Sequence, residues 1–164
     1  MSGAGSVEAR LQAIEDQLAI YQIVSAYGYA IDGCNAEVVG SLYAEDGVYA
    51  VGDMPAFKGR DRIAAITRDD GHLSLVGAGC AHVSTLPHVV IDGDRAVATC
   101  HTMLMQHRDG DFFVGRLSAS RIELSRRAGG GWRIDHRQNY LQVGDGKGPA
   151  LLARLKEPPP AIAR

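Results

Sequence analysis

The sequence predicts an α+β fold: a cone-shaped, highly curved antiparallel β-sheet packed against N-terminal helices around one pocket. Three observations carry that prediction. The first third of the chain repeats apolar residues at helical spacing. The remainder alternates with a period of two. The alternating runs are separated by Asp-Gly and Gly-Gly pairs, which favour hairpin turns.

The elements follow in order. Leu11, Ile14, Leu18, Tyr21, Val24 and Ile31 predict one amphipathic helix over residues 7–31, with Asp32-Gly33 as its stop. Asn35 caps a shorter helix over 36–43. Asp46-Gly47 turns the chain into a short strand over 48–51, and a loop with Pro55 leads to a third helix over 60–68. Four long strands are then predicted over 81–91, 95–107, 111–127 and 131–143, joined as an antiparallel meander by Asp92-Gly93, Asp109-Gly110 and Gly129-Gly130-Gly131. Pro87 marks a bulge or an edge in the first of them. The 164 residues fit one domain over 1–164, with a core of about 7–143 and a C-terminal extension over 144–164.

Composition excludes several classes of function. Apolar residues make up 46% and charged residues 22%, as in a globular chain. The net charge of −2 gives no basic excess for nucleic acid, and there is no polybasic run for a membrane surface. No apolar stretch is long enough to span a bilayer, and residues 1–9 lack the basic-then-apolar order of a signal peptide. A cytoplasmic location is the expectation. Cys34, Cys80 and Cys100 are far apart and odd in number, so they are read as reduced packing thiols. No HExxH or CxxC motif calls for a metal, no motif calls for a cofactor, and no G-x-S-x-G elbow supports a serine hydrolase.

Asp32 carries the first chemical signal. A helix C-terminus holds partial negative charge and disfavours an ionised carboxylate by about 0.3–1 kcal/mol. Helical spacing places Asp32 on one face with Tyr21, Ser25 and Gly28. The bland account is an Asp-Gly turn. The chemical account pairs Asp32 with a histidine on the sheet that the helix covers. Such a carboxylate fixes the imidazole tautomer and leaves the other ring nitrogen as a general base for a carbon-bound proton. Of the six histidines, His82 and His88 share one face of their strand. His101 and His107 share one face of the next, with Val97, Met103 and Met105.

The order of elements, Phe57-Lys58-Gly59-Arg60 before a short helix, and the run Gly131-Trp132-Arg133-Ile134-Asp135-His136-Arg137 resemble the SnoaL-like branch of the nuclear transport factor two superfamily, over roughly residues 7–143. Within it the chain looks most like proteins of the scytalone dehydratase and hexachlorocyclohexane dehydrochlorinase type. The resemblance implies a catalytic pair of Asp32 and His82, a substrate-contacting His107, and a polarising Tyr49. It places Ser118 and Ser120 in the pocket, with Ser120 where the dehydratase has an amide. Ile31 replaces the dehydratase tyrosine before the catalytic Asp, for which Tyr29 or Tyr27 compensates from the neighbouring turn. Tyr27 itself stands where the dehydrochlorinase has a lysine. The implied activity is that of a cofactor-independent lyase or isomerase acting on a small, hydrophobic, cyclic or aromatic molecule, with Met103 as an apolar wall. Homo-oligomers are the family habit. A non-catalytic carrier, or a subunit such as the small subunit of a ring-hydroxylating oxygenase, is the alternative on the same fold. A sheet-borne carboxylate base of the ketosteroid isomerase kind ranks lower, because the strand faces offer no candidate.

Overall fold

The computed structural model describes residues 6–160. The expected domain over 1–164 reaches residues outside the described ones at both ends. Helix α1 (Val7–Asp32) starts at Ser6, whose side chain accepts from the Ala9 amide, and stops at Gly33. Its buried stripe is Asp16, Ile20, Val24, Tyr27 and Ile31. The expected stripe is thereby corrected: Leu11, Ile14 and Leu18 lie on the outer side, each more than half exposed. The phase was hidden because the inner stripe includes a carboxylate. Asp16 faces the sheet, where it pairs with Arg126 and accepts from the indole N–H of Trp132.

Helix α2 (Ala36–Leu42) is capped by Asn35 and runs straight into β1 (Tyr43–Val51), which is longer than expected. A two-residue strand β2 (Phe57–Lys58) and helix α3 (Arg60–Ala65) follow, and a 3-10 turn over Ile66–Arg68 completes the expected third helix. The sequence reading had no helix after it. The chain forms one there, α4 (Asp70–Ala78), capped by Asp69. The first expected long strand is two strands, β3 (Cys80–Ser84) and β4 (His88–Asp92), because the chain breaks around Pro87. Strands β5 (Arg95–Arg108), β6 (Asp111–Arg126) and β7 (Trp132–Leu141) form the meander, and helix α5 (Lys147–Ala153) ends it. Asp109 and Gly110 both take positive φ, as a tight two-residue hairpin loop demands.

The sheet order is β2-β1-β7-β6-β5-β3, with β4 also on β5. The sheet is mixed rather than wholly antiparallel, since β1 pairs with β7 in parallel. Two extra residues bend it. Gly115 bulges from β6 between Arg116 and Val114, and Asp135 bulges from β7 between His136 and Ile134. The curved inner face and the helices enclose a core of Ile20, Val24, Ile31, Val39, Ile63, Ile122, Leu124, Trp132 and Ile134. No helix of the described residues is long and apolar enough to cross a membrane.

Candidate functional site

Gly28 creates the site by what it lacks. A Cβ there would sit 2.2 Å from the backbone oxygen of His82, so only glycine lets α1 lie this close to β3. One turn on, Asp32 then meets β3 head-on. Its Oδ2 accepts the backbone N–H of His82 at 2.7 Å, and its Oδ1 lies 2.5 Å from His82 Nδ1. Nδ1 therefore carries the proton, and Nε2 is the bare nitrogen. Burial holds the His82 pKa below its usual value, and Arg116 and His72 push the same way. Asp32 opposes them without winning, so the ring is neutral and basic at neutral pH.

His82 lines a cavity of about 450 Å³. Its walls include Tyr27, Tyr49, Phe57, His72 and Arg116. A narrow polar cleft beyond His82 is bordered by Ser118, Arg137 and Asn139. Behind it, Thr102 and Ser120 share a hydrogen bond, and Ser120 donates to Asn139 Oδ1 at 2.7 Å. The Asn139 amide donates to the Tyr49 hydroxyl at 3.3 Å, which leaves the phenolic proton free for another acceptor. Arg137 is buried, with its guanidinium 4.3 Å from the Tyr27 ring centre and 5.4 Å from that of Tyr49. Burial raises the Tyr27 pKa, so that group stays a phenol.

The pocket face thus gathers His82, Tyr49 and Ser118, with Asp32 behind the His82 ring and Ser120 one layer behind. Three expected residues fall elsewhere. Tyr29 is 80% exposed, because it lies half a helical turn from the core stripe, on the side of Leu11 and Leu18. Tyr27 is the tyrosine that enters the pocket, at 4% exposure. His107 is exposed, follows Gly79 along the sheet rim and rests against Phe112 at 5.1 Å between ring centres. The register is the reason. His82 pairs with Leu104, so even-numbered residues of β5 share its face and His107 belongs to the other. The same parity places Met103, opposite Val83 and Leu117, on the outer face at the edge of the cleft.

Sequence reasoning missed three contributors, His72, Arg137 and Asn139. His72 sits on the unforeseen α4. Its Nε2 donates to the Ile31 carbonyl at 2.8 Å, closing the end of α1 beside Asp32. Asp69-Asp70 ahead of Leu73, Leu75 and Val76 was the available signal for that helix. Arg137 and Asn139 face inward because the Asp135 bulge reverses the alternation of β7. Strict alternation from Trp132 points to His136 and Tyr140 instead. Arg116, on the strand of Ser118 and Ser120, lines both cavity and cleft.

Asp32, Cys80 and His82 also place donor atoms within 4.8 Å of one another. They fit a metal poorly. Two donors on a tetrahedral zinc lie about 3.3 Å apart, whereas Oδ1 and Nδ1 are at hydrogen-bond distance. Burial and Asp32 raise the Cys80 pKa, away from the thiolate a metal needs.

A mixed, curved sheet covered by helices, with an imidazole–carboxylate pair opening into an apolar-walled cavity, defines a class of small α+β pocket proteins. The SnoaL-like domain family matches residues 12–138, and the chain belongs to that family. An NTF2-like protein with a cystatin-like fold from Novosphingobium aromaticivorans is 36% identical, with a TM-score of 0.87 over 93% of this chain and 98% of that one. The hexachlorocyclohexane dehydrochlorinase LinA-type3 from Novosphingobium barchaimii is similar in fold, with a TM-score of 0.70 at 13% identity over 81% of this chain and 90% of that one. No curated protein matches.

Proposed function

We propose that the protein is a cofactor-independent lyase or isomerase that removes a carbon-bound proton from a small, mostly hydrophobic, cyclic molecule. The observation that supports it is the 2.5 Å contact between Asp32 Oδ1 and His82 Nδ1, with His82 on the wall of the cavity. His82 Nε2 takes the proton as the C–H bond breaks. Asp32 keeps the ring in the required tautomer and stabilises the imidazolium. The electron pair moves toward a carbonyl oxygen, where the free Tyr49 O–H donates to the developing charge. In isomerisation the imidazolium returns the proton to a second carbon. In elimination the pair forms C=C, the C–O bond breaks, and hydroxide leaves as water with a proton from Tyr49 that the imidazolium replaces through solvent. His107, exposed on the outer face, has no part in this account.

The test is exchange of α-protons of cyclic ketones into D2O, followed by proton NMR. The wild type exchanges members of the panel, and Asp32→Asn lowers the rate by about three to four orders of magnitude with an unchanged fold. Equal rates in the two proteins remove the dyad from the mechanism. No exchange by the wild type with any ketone leaves a binding protein in its place.

The protein also self-associates in this reading. Val83, Val114 and Leu117 are exposed apolar residues on the sheet, together with Phe112. Sedimentation velocity then gives a dimer or trimer, and a monomer at micromolar concentration contradicts it.

A further inference from the structure

Arg116 sits in the site without a partner. It is half-buried, it lines the main cavity and the cleft, and among the described residues no carboxylate pairs with it. The neighbouring charges are otherwise engaged. Asp32 is held by His82, and the Asp69 side chain accepts from the Gly71 amide at the start of α4. Arg137 is covered by the Tyr27 and Tyr49 rings. Arg62, the other arginine on the cavity wall, is exposed on α3 and does not reach the cleft. Arg116 is therefore the half-buried cation open to a ligand beside the base, and it is near enough to depress the basicity of His82.

A guanidinium that has lost part of its hydration without gaining an anion is an unbalanced feature of a folded chain. Its planar fork matches a carboxylate with two parallel hydrogen bonds. A wholly neutral substrate leaves Arg116 as it stands. A substrate with a carboxylate satisfies it and is oriented by it. We propose that Arg116 selects substrates carrying a carboxylate, which it binds so as to present a more distant acidic C–H to His82. The inference rests on the reading of this cavity as the substrate site, and it deepens that reading by naming the substrate class: small cyclic carbon acids that are also carboxylates.

Isothermal titration calorimetry of the full chain with trans-cinnamate and trans-cinnamamide tests it, since the two probes differ chiefly in charge. The wild type binds the acid about tenfold or more tightly than the amide, as expected for one charge-assisted contact. Arg116→Gln abolishes the preference, and Arg116→Lys, which keeps the charge, retains part of it. Circular dichroism checks that each variant is folded, and Arg116→Lys decides the matter if Arg116→Gln is not. Equal binding of acid and amide by the wild type overturns the proposal. So does a preference that survives in Arg116→Gln, or an absence of binding by either probe at millimolar concentration. Asp32→Asn separates the two readings. It keeps the preference for the acid if Arg116 is the selector, whatever its effect on proton exchange.

Discussion

His82 is a base whose surroundings disagree about its charge. Burial, Arg116 and His72 favour the neutral ring, and Asp32 favours the cation; the former prevail. The sign of the pH dependence follows. The unprotonated ring is the active form, so kcat/KM falls as pH drops through the His82 pKa, and the midpoint lies below the ordinary value of 6.5. Arg116→Gln removes one depressing charge and moves that midpoint upward. A pH series of deuterium exchange on both proteins checks this, and a wild-type midpoint above 6.5 contradicts it. His72 also holds the end of α1, next to Asp32, through the Ile31 carbonyl. Loss of its hydrogen bond in His72→Phe leaves the Ile31 carbonyl unpaired and costs about 1–3 kcal/mol in urea unfolding. Asp32 was legible in the sequence because a carboxylate at a helix C-terminus is unfavourable unless something compensates it. Arg137 and Asn139 were not, because one inserted residue at Asp135 reverses which side chains face inward, and nothing in the composition of β7 announces it.

At the scale of elements, the site depends on how closely α1 approaches β3. Gly28→Ala must push the helix off the strand, since the nearest atom is backbone and cannot rotate away. The expected result is both a lower unfolding midpoint and a loss of proton exchange. Gly77→Ala on α4 provides the contrast. A Cβ there meets nothing within 4 Å, so the helix gains up to about 1 kcal/mol and the activity is unchanged. Thermal melts of the two variants shift in opposite directions; a shared direction contradicts the close-approach account. Hairpin strands were readable because Asp-Gly turns and period-two runs are local signals. The register between strands is not local. His107 and Met103 were placed on the pocket side by resemblance and parity within one strand, and only the pairing of His82 with Leu104 shows that they lie on the other.

Across the whole molecule, one polar cluster ties the first turns of α1 to the end of the sheet. Arg126 donates to both oxygens of Asp16, and the Trp132 indole donates to one of them. The Arg126 hydrogen bonds hold the Asp16 pKa below its ordinary 3.8. A carboxylate depressed in the folded state stabilises the protein fully above its unfolded pKa, and that stability is lost as pH falls through the folded pKa. Asp16→Asn therefore costs about 2–3 kcal/mol near neutral pH, and its penalty shrinks toward acid. Urea titrations at pH 7 and pH 3 measure the difference, and a penalty independent of pH argues against the ion pair as its source.

The parallel seam between β1 and β7 has a bearing on how the protein is made. Asp32 and His82 both lie in the first half of the chain, whereas the hydrogen bond between Tyr49 and Asn139 spans 90 residues. During translation the general base and its carboxylate leave the ribosome long before the strand that floors the pocket. A nascent chain that ends at β6 carries the dyad but has no partner for β1, whose edge stays open to other chains. Loop-closure entropy makes such long-range pairing slow, so chemical competence waits for β7.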